Sequence, residues 1–346
     1  MKKNVLVTLA NKEFINQAKV LFTSAHLNGG WEEDYLLLSF DIPDKNLEWF
    51  RKKGIIIKKC KKINIKKIRL FKSSMNKNWT YSVLNKFYLF TPYFKKWDNI
   101  IYLDSDMIVK SSINDLKNIK GFNACIDCSN NLKEQFLPKR FIENNKDKEI
   151  YKNIFKKYNK KSKPFNSGVM VFNKEIIKND TFNDLVSITK KIKNIMQLGD
   201  QTILNIYFYK KYKPLPLVYN NYIPYTHNKN INSIIIHTPH DLKISRAWEK
   251  KSKYYNEWTE ILKKSDNVDF KKRILQKKYL NNEEIKLNSK KIKKSINKKL
   301  FIKKIDVILH PIILIDRIIG LFGIYIKKRS PNTYMKLKNL NFTKRI

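Results

Sequence analysis

Asn99-Ile100-Ile101-Tyr102-Leu103-Asp104-Ser105-Asp106-Met107-Ile108-Val109 is an apolar run closed by two acids one residue apart. Its first half fits a buried strand. Side chains at i and i+2 of an extended chain point the same way, so Asp104 and Asp106 share a face. Around this strand, apolar runs bounded by polar or turn residues predict further strands at Asn4–Thr8, Tyr35–Phe40, Ile55–Lys58, Ala124–Ile126, Gly168–Phe172 and Ser233–Ile236. Helical patterns cover Lys12–Leu27, Asp44–Lys53, Thr80–Thr91, Lys174–Met196, Gly199–Tyr209 and Ala247–Lys264, with Asp44 suited to cap its helix. Strand and helix alternate over the first 130 residues, which predicts an α/β fold. Its single, mostly parallel sheet is flanked by helices, and ligands collect beyond the carboxyl ends of its strands. The sequence contains no G-x-G-x-x-G or Walker pattern, so any bound nucleotide is held by something other than a glycine-rich phosphate loop.

The chain has 346 residues, 42% hydrophobic and 13% aromatic, enough apolar surface for a large core and too much for a mainly disordered chain. Lysine and arginine number 72 against 30 acids, a formal charge of +42. Such a balance suits nucleic acid, anionic lipid or phosphorylated substrates. Abundant Lys, Asn and Ile beside only 8 Gly and 10 Pro are also what AT-rich coding produces without any partner. No zinc-finger, RNA-recognition or helix-turn-helix pattern organises the lysines, which argues against nucleic acid. Three cysteines, Cys60, Cys125 and Cys128, point to a reducing compartment rather than a disulfide framework. The start, Met1–Phe14, lacks the apolar stretch of an export signal, so the expected location is the cytoplasm.

The charge concentrates late. From Lys263 to Lys304 sixteen lysines and arginines stand against four acids. The division expected is a catalytic region at 1–262 and a basic, helical C-terminal region at 263–346. Within the latter, 301–329 is amphipathic: Lys303, Asp306, His310 and Arg317 fall on one helical face among Ile, Leu and Phe. The apolar stretch Val307–Ile326 carries Asp316 and Arg317, which speaks against a membrane span. An interfacial helix on anionic lipid, peripheral to the inner face of the membrane, fits better, and a core-packing or oligomerising helix is the alternative.

Three more stretches bear on chemistry. Phe165-Asn166-Ser167-Gly168-Val169 feeds a small polar turn into a strand, Leu198-Gly199-Asp200-Gln201-Thr202 opens a helical pattern, and Ile234-Ile235-Ile236-His237 delivers an imidazole to a strand end. Two carboxylates held side by side repel each other, and a divalent cation relieves that repulsion while adding a site for phosphate. With an imidazole they form an O,O,N set that suits Mn²⁺ or a similar ion. The Cys125-x-x-Cys128 pair lacks a second pair of ligands and reads as structural.

These four stretches, in this order, resemble the retaining glycosyltransferases of family 8, the group containing glycogenin and bacterial lipooligosaccharide galactosyltransferases. The resemblance spans about Val5 to Trp258. It implies a GT-A fold, a UDP-sugar donor, Mn²⁺ or another divalent cation such as Mg²⁺, and retention of anomeric configuration. By this likeness Asp104, Asp106 and His237 are the metal ligands, and Ser105 and Ser167 lie within the same substrate-binding motifs. Lys86, which on spacing alone is one more surface lysine, matches the basic position that reaches the donor. Thr8, Ala10, Asn11 and Phe14 match the strand and turn that hold uracil and ribose. Asp127 and Asn166 match positions that hold sugar hydroxyls, and Asp200 and Gln201 stand beside the anomeric carbon.

The chain departs from the family pattern after His237. His240 stands where the family has glycine, and Lys243-Ile244-Ser245 replaces Lys-Pro-Trp. Either Lys243 or Arg246 then supplies positive charge to the diphosphate. The expected activity is transfer of galactose or glucose to a glycan acceptor, lipid-linked or of lipopolysaccharide type. A protein acceptor, as in self-glucosylation, is the enzyme alternative. A non-catalytic basic protein binding nucleic acid or anionic glycan is the other.

Overall fold

The computed structural model describes residues 3–65, 77–227, 230–239, 241, 244–273 and 278–309. Its strands are β1 Asn4–Ala10, β2 Asp34–Ser39, β3 Ile56–Lys59, β4 Asn99–Leu103, β5 Met107–Val109, β6 Phe122–Ile126, β7 Phe165–Asn173, β8 Tyr212–Leu215, β9 Asn221–Tyr222 and β10 Ile235–His237. Its helices are α1 Ile15–Leu27, α2 Asp44–Lys52, α3 Lys77–Leu84, α4 Asn145–Lys157, α5 Thr181–Ile192, α6 Asp200–Tyr207, α7 Ile223–Thr226, α8 Tyr255–Asn267 and α9 Asn282–Leu309. Two compact units result, Met1–Lys293 and Lys294–Ile346. In the first, residues beyond 262 pack on the body: Phe270 meets the rings of His26 and Tyr35, and Ser112 N–H bonds Lys278 O at 2.7 Å.

Seven strands form the main sheet in the order β3-β2-β1-β4-β7-β6-β8. β3, β2, β1 and β4 run parallel, and β7 runs against both β4 and β6. β1 lies inside the sheet, between β2 and β4, with every residue buried, as its apolar run requires for a strand covered on both faces. Behind the inner strands lies an aromatic core in which Phe122 and Phe208 stack at 4.0 Å between centroids.

A second sheet, β5-β10-β9, leaves the first just after the two acids. Its strands are only two or three residues long, too short for a periodic signal, and β5 and β9 were not foreseen. It rests on a small core of Val20, Ile108, Ile223, Ile236, Ala247 and Ile261. Among the described residues no helix is long and apolar enough to cross a membrane. Residues 310–329 of the expected amphipathic segment lie outside the described residues.

Several helix boundaries move. The long pattern expected at Lys174–Met196 is broken into a single turn, Lys174–Ile176, and α5, because Thr181 Oγ1 accepts from Lys178 N–H and starts a new helix. Thr80–Thr91 is α3 followed by tighter turns at Asn85–Phe90, and Ala247–Lys264 holds only the later helix α8. Asp44 does not cap α2. Pro43 occupies the cap position, with φ already near the helical value, and the Asp44 carboxylate instead meets Arg51 and Lys59.

Candidate active site

Asp104 closes β4 and Asp106 precedes β5, so the two acids bracket the turn where the chain passes from one sheet to the other. Antiparallel pairing of β5 with β10 sets His237 opposite Met107. Thr238 N–H donates to Asp106 O at 3.0 Å and fixes that register. As a result His237 Nε2 lies 3.2 Å from Asp106 Oδ1, and ligand atoms of Asp104, Asp106 and His237 fall within 4.8 Å of one another.

Three features fit these residues to a divalent cation. The set is two hard oxygens and one imidazole nitrogen, which suits Mn²⁺. Asp106 Oδ1 is buried with no hydrogen-bond donor aligned on it, the 3.2 Å contact from His237 included. Gly168 leaves the space open: a Cβ there would stand 2.8 Å from His237 Cε1, 2.8 Å from Met107 Cε and 2.9 Å from Asn166 Oδ1. Burial alone would raise the Asp106 pKa, yet the His237 imidazole and then the Lys86 ammonium outweigh it and hold the carboxyl below its usual range.

Lys86 is not a surface lysine. It is 4% exposed, with Nζ 2.9 Å from Asp104 Oδ1 and 3.0 Å from Asp200 Oδ2. Burial works against its charge, but Asp104 and Asp200 reverse that and lift its pKa above the usual lysine value. Asp200 shares this one ammonium with Asp104. Burial, reinforced by Asp104, pushes the Asp200 pKa up despite Lys86 and a 2.8 Å hydrogen bond from Ser167 Oγ. Gly199, at φ +54°, makes the turn that puts Asp200 and Gln201 at the start of α6, a backbone conformation that side chains with a Cβ rarely adopt.

The remaining sugar-side candidates interlock. Asn166 Nδ2 donates to Gln201 Oε1 at 3.0 Å and to Asp127 Oδ1 at 3.2 Å, and Ser167 N–H donates to Gln201 Oε1 at 3.2 Å. Ser105 is buried in the turn between the two acids. On the other side, Thr8 Oγ1 donates to Leu103 O at 2.7 Å, tying β1 to the strand of the acids. Asn11 caps the turn Lys12–Phe14 through Glu13 N–H, and Ala10 is buried at the end of β1. Phe14 meets Trp248 edge-on at 6.0 Å, and the Arg246 guanidinium lies 5.4 Å from the Trp248 ring centre. These contacts join Phe14, Trp248 and Arg246 to one another rather than to the carboxylates. Lys243 and His240 lie outside the described residues.

Four participants escaped the sequence reading. Tyr102 O–H donates to Asp104 Oδ1 at 2.7 Å, Asn220 Oδ1 lies 2.9 Å from His237 Nδ1, Gln135 bonds Gln201 and Asp127, and Ser129 bonds Asp127. Only Tyr102 carried a signal, since i and i+2 share a face of β4. Cys125 is buried with Sγ 3.4 Å from Pro216 O, and burial raises its pKa, as for an unreactive structural thiol.

The profile of the family described as Glycosyl transferase family 8 matches residues 5–243. No curated protein matches the chain. Among solved structures, the galactosyltransferase LgtC in complex with donor and acceptor sugar analogs is similar with a TM-score of 0.56 and 16% identity, over 75% of this chain and 95% of that one. The apo bifunctional glycosyltransferase WbbM gives 0.55 and 17%, over 75% of this chain and 50% of that one, so this chain spans half the length of WbbM. The glycosyltransferase GlyE of Streptococcus pneumoniae TIGR4 gives 0.52 and 20%, over 78% and 61%. The shared architecture is the GT-A fold.

Proposed function

Because this chain belongs to glycosyltransferase family 8, we propose that it moves a hexose, galactose or glucose, from a UDP-sugar to a glycan acceptor with retention of configuration. The observation that carries this reading is the convergence of Asp104, Asp106 and His237 from two sheets. They would hold Mn²⁺, or another divalent cation such as Mg²⁺, which supplies Lewis-acid neutralisation of the departing diphosphate. Thr8, Ala10, Asn11 and Phe14 are assigned to the nucleoside, Arg246 or Lys243 to the diphosphate, and Asp127 and Asn166 to sugar hydroxyls. We assign the catalytic function to residues 1–262.

A front-face pathway suits these side chains. The bond from the anomeric carbon to phosphate oxygen breaks, the bond to the acceptor oxygen forms on the same face, and the acceptor proton passes to the leaving phosphate. Gln201 has a neutral amide whose oxygen already accepts from Asn166 and Ser167. Asp200 is tied to Lys86 and Ser167, which leaves it to orient groups rather than to attack as in a double displacement.

UDP together with Mn²⁺ should raise the melting temperature, by about 2.7 kcal/mol of added stability at a hundredfold excess over Kd, and a chelator should abolish the shift. Turnover against a panel of UDP-sugars then identifies the donor. A chain that melts unchanged with UDP and Mn²⁺ overturns the reading in favour of a non-catalytic basic protein.

We assign the acceptor to the lipid-linked or lipopolysaccharide class and the basic C-terminal region to the anionic inner face of a membrane, on the charge of 263–304. The segment through Lys293 packs in the first unit, so truncation begins at Lys294. The shortened chain should keep its melting transition and lose sedimentation with phosphatidylglycerol vesicles. Undiminished sedimentation removes residues 294–346 as the anchor.

A further inference from the structure

We propose that Asn220 is a positioning residue that fixes the tautomer of His237 and ties the metal-binding end of the site to its sugar-binding end, an inference that rests on the proposed function for its ligands. Asn220 ends the turn Leu217–Asn220, ahead of β9, and is 4% exposed. Its Oδ1 lies 2.9 Å from His237 Nδ1, and its Nδ2 donates to Asn166 Oδ1 at 2.9 Å.

An amide can sit either way round, and an imidazole can carry its proton on either nitrogen, so one such contact fixes nothing. Here the polarity is set from outside the chain of amides. Asn166 Oδ1 faces Gly168 N–H at 3.0 Å, and a backbone N–H only donates, so that atom is the oxygen. Asn166 Nδ2 faces Asp127 Oδ1 at 3.2 Å, and an ionised carboxylate only accepts, so that atom is the nitrogen. Both ends agree. Asn220 must therefore present Nδ2 to Asn166 and Oδ1 to His237, which makes Nδ1 the protonated nitrogen. In the neutral imidazole Nε2 then keeps a lone pair toward Asp106 Oδ1 at 3.2 Å, two acceptors face to face that a shared cation reconciles.

The order continues past Asn166. Gln201 Nε2 donates to Gln135 Oε1 at 3.2 Å, and Gln135 Nε2 donates to Asp127 Oδ2 at 3.3 Å, which closes a ring of amides on that carboxylate. Asn220 is the link between this ring and the imidazole. Partners of this kind are typically worth about 10–100-fold in metal affinity.

The test measures Mn²⁺ alone, by the electron paramagnetic resonance of the free ion. Asn220→Ala should weaken Mn²⁺ binding about 10–100-fold. Asn220→Asp keeps an acceptor for Nδ1–H and should restore affinity to within about threefold of wild type. It loses the donor to Asn166, so its KM for UDP-sugar should still rise about fivefold, the equivalent of one lost hydrogen bond. With the imidazole in its neutral form, nitrogen NMR of the wild-type chain should find His237 protonated on Nδ1. Wild-type Mn²⁺ affinity in a folded Asn220→Ala chain, or a proton on Nε2, overturns the proposal. If Asn220→Ala does not fold, the Asn220→Asp pair of measurements and the tautomer decide. A wild-type chain that binds no Mn²⁺ defeats the metal assignment instead, and the tautomer still reports on Asn220.

Discussion

Asp106→Asn should lower kcat/KM for sugar transfer by about three orders of magnitude and should also make the apo protein less stable at neutral pH. The two effects have separate causes. Asp106 is a buried carboxylate whose charge burial opposes, but the His237 imidazole and then the Lys86 ammonium outweigh burial and favour the charged form. The amide has nearly the same shape but gives up that net attraction, and with it the stability that the charge contributes above the ordinary carboxyl pKa. Function needs the charge. One carboxylate fewer around a cation that offsets the charge of a leaving diphosphate forfeits several kcal/mol of transition-state stabilisation, and about 4 kcal/mol corresponds to a factor of about a thousand. The decisive pair of measurements is kcat/KM with the preferred UDP-sugar and the melting shift produced by UDP and Mn²⁺, which should vanish. A variant within tenfold of wild type would mean that Asp106 only ends a strand.

Lys86→Met should damage the fold itself. Lys86 Nζ stands between Asp104 and Asp200 at 2.9 and 3.0 Å with almost no solvent. Removing one partner of a buried ion pair strands the other charge and costs about 3–5 kcal/mol. Two carboxylates are stranded here. Asp200 already titrates above its ordinary value, because burial opposes its charge. A carboxyl whose folded pKa lies above its unfolded one binds more protons when folded, so it lowers stability as pH rises through that interval. Loss of the ammonium widens the interval upward, and the deficit of Lys86→Met should shrink as pH falls from neutral toward the Asp200 pKa. Adding Asp200→Asn should recover much of the loss at neutral pH. Urea denaturation of both variants at two pH values checks this, and a Lys86→Met chain with wild-type stability would contradict the ion-pair account.

The acids and the imidazole were legible because each closes an apolar run, and the i, i+2 rule puts two carboxylates on one face. That His237 meets them was not legible from spacing. It depends on β5 and β10, strands of three residues whose pairing is a tertiary matter. β8 was hidden for a similar reason, since Tyr212-Lys213-Pro214-Leu215 is a half-exposed edge strand with a proline and no alternation. Lys86 shows the limit of composition: among so many lysines nothing local distinguishes the buried one, and only the family resemblance singled it out. Gln135 lies in a stretch rich in polar residues and Asn220 beside Asn221 in a mostly apolar one, and in neither does the spacing tell an amide that turns inward from one that faces water. The main sheet was easier, because Val5, Leu36 and Ile100 belong to runs too apolar for any position except its interior.

The strand that carries His237 is laid down late in the chain, and it docks between β9, the strand before it, and β5, which lies far earlier in the sequence. A ribosome-bound nascent chain that has emerged only through α6 owns both aspartates and the amide ring without Asn220, but not His237. Contacts of such long sequence separation form after local ones. On the proposed function, the metal ligands are therefore completed only after most of the remaining site, which keeps half-synthesised polypeptide from handling activated sugar.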